Sequence, residues 1–270
     1  MHEPVFVLPL PALSYLPALA TGMRVGEALL IEVGGWGQGF DYTNQDNLRR
    51  ARDILGEQGM QVYSYHPPFG GRYDFSAVDE GLRAAAVDLN IEQLHSAASL
   101  GAKYIVMHPS EPVQEPDRLY RRRNAGRGLR ELTRVAEDLG VALAIENLPT
   151  GFIAADVEEL MWLVEGCESD AAGVCFDTGH AHLLHLPLSR FLRRIGDKLL
   201  TIHWHDNDGT YDQHRLPGQG TIDWPDFFGA LDALGWDRPI CLEAGLPEAP
   251  TYEASTRRVR EALAGKRPVV

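Results

Sequence analysis

The sequence predicts a single-domain α/β protein, a (β/α)8 barrel spanning 1–270. Three observations predict it. Eight short apolar runs alternate with longer stretches of helical periodicity. The chain has 270 residues, so eight such units average about 34 residues each, and one barrel typically takes roughly 250 residues in all. Nearly every apolar run also ends on a carboxylate or an imidazole. In a parallel barrel those C-terminal strand ends meet over one mouth.

Taken in order, the expected strands are Val5–Leu10, Leu29–Val33, Gln61–His66, Lys103–His108, Ala142–Asn147, Ala172–Asp177, Leu199–His205 and Ile240–Ala244. A short helix follows the first. Between the others lie the helices Asn44–Gly59, Ser76–Gly101, Asp117–Gly140, Asp156–Gly166, Leu188–Lys198 and Asp223–Gly235, with Thr251–Gly265 after the last. Several begin on Asn, Asp or Ser and end on Gly, as capping requires. Strand, helix, strand at this spacing means parallel strands joined by crossover helices. An open doubly wound sheet is the rival, but it would normally show a Gly-rich phosphate turn after an early strand. The run Gly34–Gly39 (GGWGQG) follows the second strand and opens no convincing helix with that spacing.

Composition narrows the function. Hydrophobic residues are 44% and charged residues 23%, an ordinary globular balance. With 25 Lys and Arg against 38 Asp and Glu, the net charge is −13. No general field holds nucleic acid or an anionic membrane. The densest basic cluster, Arg121–Asn124 (RRRN), falls on an expected surface helix and reads as a solvated face. Three cysteines, Cys167, Cys175 and Cys241, form no C-x-x-C pair, which fits a reducing cytoplasmic setting. The apolar start carries Glu3, Pro9, Pro11 and Pro17 and has no basic leader, so it reads as a core strand rather than a signal peptide.

The strand ends carry the chemistry. They present Glu32, His66, His108, Glu146, Asp177, His203 and Glu243. Taken singly, each has an ordinary reading: His66 or His108 as a satisfied core histidine, Glu146 as the partner of a rim arginine, Asp177 as a turn cap, Glu32 as a structural residue with less weight than the rest. Taken together, these readings must hold on one strand after another, and burying unpaired ionisable groups costs several kcal/mol. A bound cation removes that cost. CFDTGHAH adds His180 three residues after Asp177, and HWHDNDGTYDQH places His203 and His205 on one face of a strand with Trp204 on the other. Asp212 and His214 follow in the next loop. Mixed carboxylate and imidazole donors suit Zn²⁺ or Mn²⁺, with Mg²⁺ or Co²⁺ as alternatives. Cys175 and Cys241, two residues before Asp177 and Glu243, read as packing deeper in the barrel.

The segments HPPF, MHPS, IENLP, CFDTGHAH, TIHWHDNDG with DQH, PGQGTIDW and CLEAG, in this order, resemble the xylose isomerase-like TIM barrel superfamily. That superfamily contains sugar isomerases and epimerases and endonuclease IV. The isomerase and epimerase branch implies one divalent metal held by Glu146, Asp177, His203 and Glu243. The endonuclease IV branch implies a three-metal cluster that adds His66, His108, His180, Asp212 and His214. Every one of these positions carries a matching residue type here. The first strand lacks the endonuclease signature, and no counterparts of its DNA-penetrating loops are evident.

The leading expectation is a metal-dependent sugar or sugar-phosphate isomerase or epimerase of carbohydrate metabolism. It would transfer a proton next to a carbonyl through a metal-stabilised enediolate, with Glu146 and Glu243 as the catalytic pair. His180, Arg215 and His66 would contact substrate, and Trp36 and Phe40 would wall the pocket. The partner is then a small sugar-like molecule, with no nucleic acid and no membrane, and an oligomer is left open. The alternatives are a multi-metal phosphodiesterase acting on abasic-site DNA, and a binding module that kept the ligands but lost the chemistry. The intact carboxylate pair argues against the binding module.

Overall fold

All eight apolar runs are strands in the computed structural model, which describes residues 4–9, 13, 16, 29–36 and 40–244. They are β1 (Pro4–Pro9), β2 (Leu29–Gly34), β3 (Met60–His66), β4 (Tyr104–Met107), β5 (Ala142–Glu146), β6 (Ala172–Asp177), β7 (Leu199–Trp204) and β8 (Ile240–Leu242). Each pairs in parallel with its neighbour in sequence, and β1 pairs with β8, so the sheet closes as a barrel. The fold is the expected (β/α)8 barrel.

The helices are α1 (Gln45–Glu57), α2 (Glu80–Leu100), α3 (Arg118–Leu139), α4 (Val157–Glu165), α5 (Thr178–His182), α6 (Leu188–Ile195) and α7 (Trp224–Ala233). Asn44, Asp79, Asp156 and Asp223 cap α1, α2, α4 and α7 through side-chain oxygens that accept first-turn amides. The short helix expected after β1 and the one expected over Thr251–Gly265 fall almost wholly outside the described residues.

Two boundaries differ from expectation for local reasons. Helix α2 starts at Glu80, not Ser76. Asp74 Oδ1 accepts the Ser76 amide at 3.0 Å and the Ser76 hydroxyl, which holds this segment in a turn until Asp79 offers a proper cap. Helix α6 ends at Ile195, because Gly196 turns to φ 57° and the chain continues as a short 3₁₀ turn.

The core has two parts. Outside the barrel, the apolar faces of the helices pack on the outward strand residues. Trp204 packs outward as expected, its ring 5.7 Å from that of Trp224 and 6.2 Å from that of Phe228. Inside, a layer of Val5, Tyr63, Tyr104, Val106, Ala144, Cys175 and Cys241 fills the lower barrel. All three cysteines are free and buried. The arginine run on α3 is more than a solvated face. Arg121 binds Asp74 and Ser76, Arg122 lies over the Trp162 ring at 4.8 Å, and Asn124 donates to the Ala77 carbonyl at 2.7 Å. This run ties α3 to the loop after β3 and to α4. No helix among the described residues is long and apolar enough to cross a membrane.

Close packing makes one glycine a test of this arrangement. A Cβ on Gly128 of α3 would lie 2.7 Å from Cδ2 of the buried Phe75 ring. Gly128→Ala is expected to lower stability by about 1–3 kcal/mol, read from the midpoint of urea unfolding.

Candidate metal centre at the barrel mouth

The strand-end residues converge as the parallel register requires. Asp177 sits beside His203 in the β6–β7 ladder, and Glu146 lies beside Cys175 between β5 and β6. Donor atoms of Glu146, Asp177, His203 and Glu243 all lie within 4.8 Å of one another. His203 Nδ1 is 2.9 Å from Glu243 Oε2, 3.3 Å from Glu146 Oε1 and 3.9 Å from Asp177 Oδ2. His66 and His108 face the other oxygen of Glu146, at 3.6 and 3.0 Å. His180 Nε2 is 3.4 Å from Asp212 Oδ2, which is 2.8 Å from His214 Nε2.

The loops are built to hold these groups. Asn147, directly after β5, latches β5 to β6. Its side chain donates to the Asp177 carbonyl at 2.9 Å and accepts the Asp177 amide at 2.8 Å, while its own carbonyl accepts from His180 Nδ1 at 2.9 Å. Asp177 caps α5 by accepting the His180 amide, as the turn-cap reading expects, while its carboxylate stays among the strand-end donors. Gly179 has no side chain because His205 lies against it: a Cβ there would stand 2.0 Å from His205 Cε1. His205 in turn donates to Asp177 from Nε2 at 2.9 Å.

The segment PGQGTIDW is organised by Asp206. Its two carboxylate oxygens accept the amides of Asn207, Gly218 and Ile222 and the indole N–H of Trp224, at 2.8–3.3 Å. This folds the loop back so that Asp212 and His214 reach the mouth. His214 adopts φ 45°, the left-handed region that non-glycine residues avoid, and its Nδ1 donates to the Glu243 carbonyl at 2.7 Å.

Electrostatics follow from this crowding. Burial alone would push the Glu146 carboxyl up, but His203 and His108 beside it hold it well below the usual carboxylate range. Burial opposes the charge on His180, yet Asp177, Asp212 and Glu146 hold it well above the ordinary value. His214 is raised to about 9, its Asp212 contact outweighing burial. His108 goes the other way: burial dominates, and its imidazole is held below the ordinary value.

The donor set fits a cation. Glu146 Oε2, Asp212 Oδ1 and Glu243 Oε2 are buried without a hydrogen bond, although imidazole nitrogens approach two of them to 3.0 Å or less. Lone pairs converging this closely without hydrogen-bond geometry are what a metal site presents. Two further cysteine-free groups have donor atoms within 4.8 Å, His66, His108 and Glu146, and His205, Asp212 and His214, and two others join Cys241 to Glu32 and His203, and Cys175 to Glu146 and His203.

Above the donors opens a cavity of about 580 Å³. Trp36, Pro68, Phe69, Leu148, Pro149 and Phe152 form its apolar wall, opposite the imidazoles and carboxylates. Trp36 packs edge-on to His66 at 5.2 Å between ring centres, and Phe69 stacks on His108 at 4.0 Å. Two expected substrate contacts lie elsewhere. Phe40 is buried against Tyr42, with ring centres 4.8 Å apart. Arg215 pairs with Asp208 at 3.1 Å and with the Gln219 carbonyl, within the turn that Asp206 and Arg215 bridge. Neither lines the cavity. Sequence reasoning missed the latch role of Asn147, the Phe69 and Phe152 walls, and the seating of His205 on Asp177. The spacing of His205 from His203 was the available signal for the last.

A barrel with this mouth belongs to a known class. Residues 27–263 match the family model for the xylose isomerase-like TIM barrel, and the chain belongs to that family. It is 27% identical over 227 residues to a D-psicose 3-epimerase of Enterocloster bolteae, covering 82% of this chain and 73% of that one. It is also 24% identical over 220 residues to a probable endonuclease 4 of Mycoplasmoides gallisepticum, covering 77% and 70%. Among solved structures, a D-tagatose 3-epimerase-like protein superimposes with a TM-score of 0.79 at 20% identity, over 98% of this chain and 97% of the other. Related proteins thus include sugar epimerases and isomerases.

Gly179→Ala is expected to displace His205 and lower stability by about 1–3 kcal/mol. Hydrogen exchange should show the loss concentrated in the segment after β7, with the far side of the barrel unchanged.

Proposed function

We propose that the protein is a divalent-cation-dependent epimerase or isomerase of an uncharged sugar. The observation that carries this reading is the pair Glu146 and Glu243. They come from strands three apart around the barrel, yet their carboxylates lie within 4.8 Å of each other and of Asp177 and His203. Glu146, Asp177, His203 and Glu243 would hold the cation, of the Mn²⁺ or Zn²⁺ class. Once bound, it would draw charge from the carbonyl and neighbouring hydroxyl oxygens of a sugar and so acidify the adjacent C–H.

The chain's own residues then act on protons. One of the two carboxylates removes the proton next to the carbonyl, leaving its electron pair to the enediolate. The other returns a proton to carbon or oxygen. His180, which lines the cavity, donates to a substrate oxygen. Trp36 and Phe69 shield the site from water and offer a sugar ring an apolar face.

Charge selects the substrate. No Lys or Arg lines the cavity among the described residues. Among the described loop residues that leave the strand ends, the cations are Arg72 and Arg215, and both are engaged, with Tyr73 and Asp208. Asp41, Asp74, Glu111, Asp208 and Asp212 share that face. Among the described residues no unengaged Lys or Arg is placed to hold a phosphate, which favours a free sugar over a sugar phosphate.

The test is exchange with solvent deuterium. Incubated in D₂O with a divalent metal and a panel of free ketoses, the protein should wash deuterium into the carbon next to the carbonyl. Glu146→Gln and Glu243→Gln should each slow this by about 10²- to 10⁴-fold. Asp177→Ala and His203→Ala should lose metal by elemental analysis, while His214→Asn should leave most of the exchange intact. Phe69→Ala should raise KM more than it lowers kcat. A second reading rests on the two additional donor groups, His66 with His108 and Glu146, and His205 with Asp212 and His214. They would suit a multi-metal phosphodiesterase. Cleavage of an abasic-site oligonucleotide that depends on His66 and His214, with no exchange on any ketose, would decide for it.

A further inference from the structure

Glu32 has no part in the cavity, yet it is fully buried and aimed at a proposed ligand. It lies on β2 and reaches across the barrel interior to β7. Both of its oxygens lie 3.2 Å from His203 Nε2, and Oε2 also accepts the Ser64 hydroxyl at 2.7 Å. The other ring nitrogen of His203, Nδ1, faces Glu146, Asp177 and Glu243.

The backbone is adapted to this contact. The β2–β3 ladder pairs Ile31 with Val62 but Glu32 with Ser64, so Tyr63 is an extra residue in β3. Such a bulge re-aims the side chains beside it. Here it brings the Ser64 hydroxyl opposite Glu32 and sends Tyr63 into the apolar layer below. The result is a fixed carboxylate directly behind one imidazole.

We propose that Glu32 is the positioning residue for His203, accepting its Nε2 proton so that the Nδ1 lone pair is held toward the cation. The inference rests on the metal centre proposed above. An ionised carboxylate can only accept, so it selects the tautomer with hydrogen on Nε2, and it raises the basicity of the nitrogen opposite. Cys241 makes a rival arrangement available. With Glu32 and His203 it forms a group whose donor atoms lie within 4.8 Å, and a cation seated there would take Nε2 instead.

Two measurements on the full-length protein decide. The first is Zn²⁺ affinity, by competition with a chromophoric chelator. Glu32→Gln keeps the shape and removes the charge, and Glu32→Ala removes the acceptor. Both should bind Zn²⁺ about 10- to 100-fold more weakly than the wild type, with the near-UV circular dichroism of the fold retained. The second is ¹⁵N NMR of the histidine rings in the Zn²⁺-loaded wild type, which should show His203 protonated on Nε2 and coordinated through Nδ1. It needs no variant to fold. Unchanged affinity in both variants, or coordination through Nε2, overturns the role of Glu32 while leaving the metal centre standing. A wild-type chain that does not bind Zn²⁺ overturns the metal centre and this inference together.

Discussion

Glu32, Glu146 and Asp177 are almost wholly buried at the top of one barrel, with Glu243 mostly covered beside them. Water cannot neutralise this much negative charge there, so other groups must. His66, His108, His180, His203 and His205 are interleaved among the carboxylates, and each faces at least one of them within 4 Å. Buried charge of one sign is tolerated only with close partners and satisfied lone pairs. The rest of the mouth answers to that requirement. Strand order brings the acids together with His66 and His203, and the segments just beyond the strands bring His108, His180 and His205.

The loops do this with few tethers. Asn147 joins two strand ends through two hydrogen bonds and holds His180 through a third, and Asp206 gathers four donors from a long segment. Gly179 leaves the space that His205 occupies. None of these three residues needs to touch a substrate. They explain why the short segments beyond the strands, such as 147–149 and 217–223, carry so much definite composition: each is a set of hydrogen-bond partners for backbone that would otherwise be buried and unpaired.

Much of this was legible in the sequence. All eight strands were readable because their apolar runs are short, bounded and regularly spaced, and the donors were readable because they close those runs. Tertiary contacts hid the remainder. The late start of α2 depends on Asp74, whose partner Arg121 is 47 residues away. Phe40 and Arg215 lie in loops near the mouth, but one turns into the core and the other pairs within its own turn, and nothing in their spacing says so. The position of Glu32 behind His203, rather than in the cavity, depends on a bulge between β2 and β3 that no periodicity reveals.

The apolar layer inside the lower barrel has a kinetic consequence. Val5, Tyr63, Tyr104, Val106, Ala144, Cys175 and Cys241 stopper the barrel beneath the carboxylates, so among the described residues packed side chains floor the site. The cavity that reaches Glu146 and Glu243 opens at the rim, past Trp36 and Phe69. Under the proposed proton transfer, a hydrogen lifted from carbon would be partitioned between recapture and escape through that rim. The isotope retained would then gauge how freely the rim admits solvent.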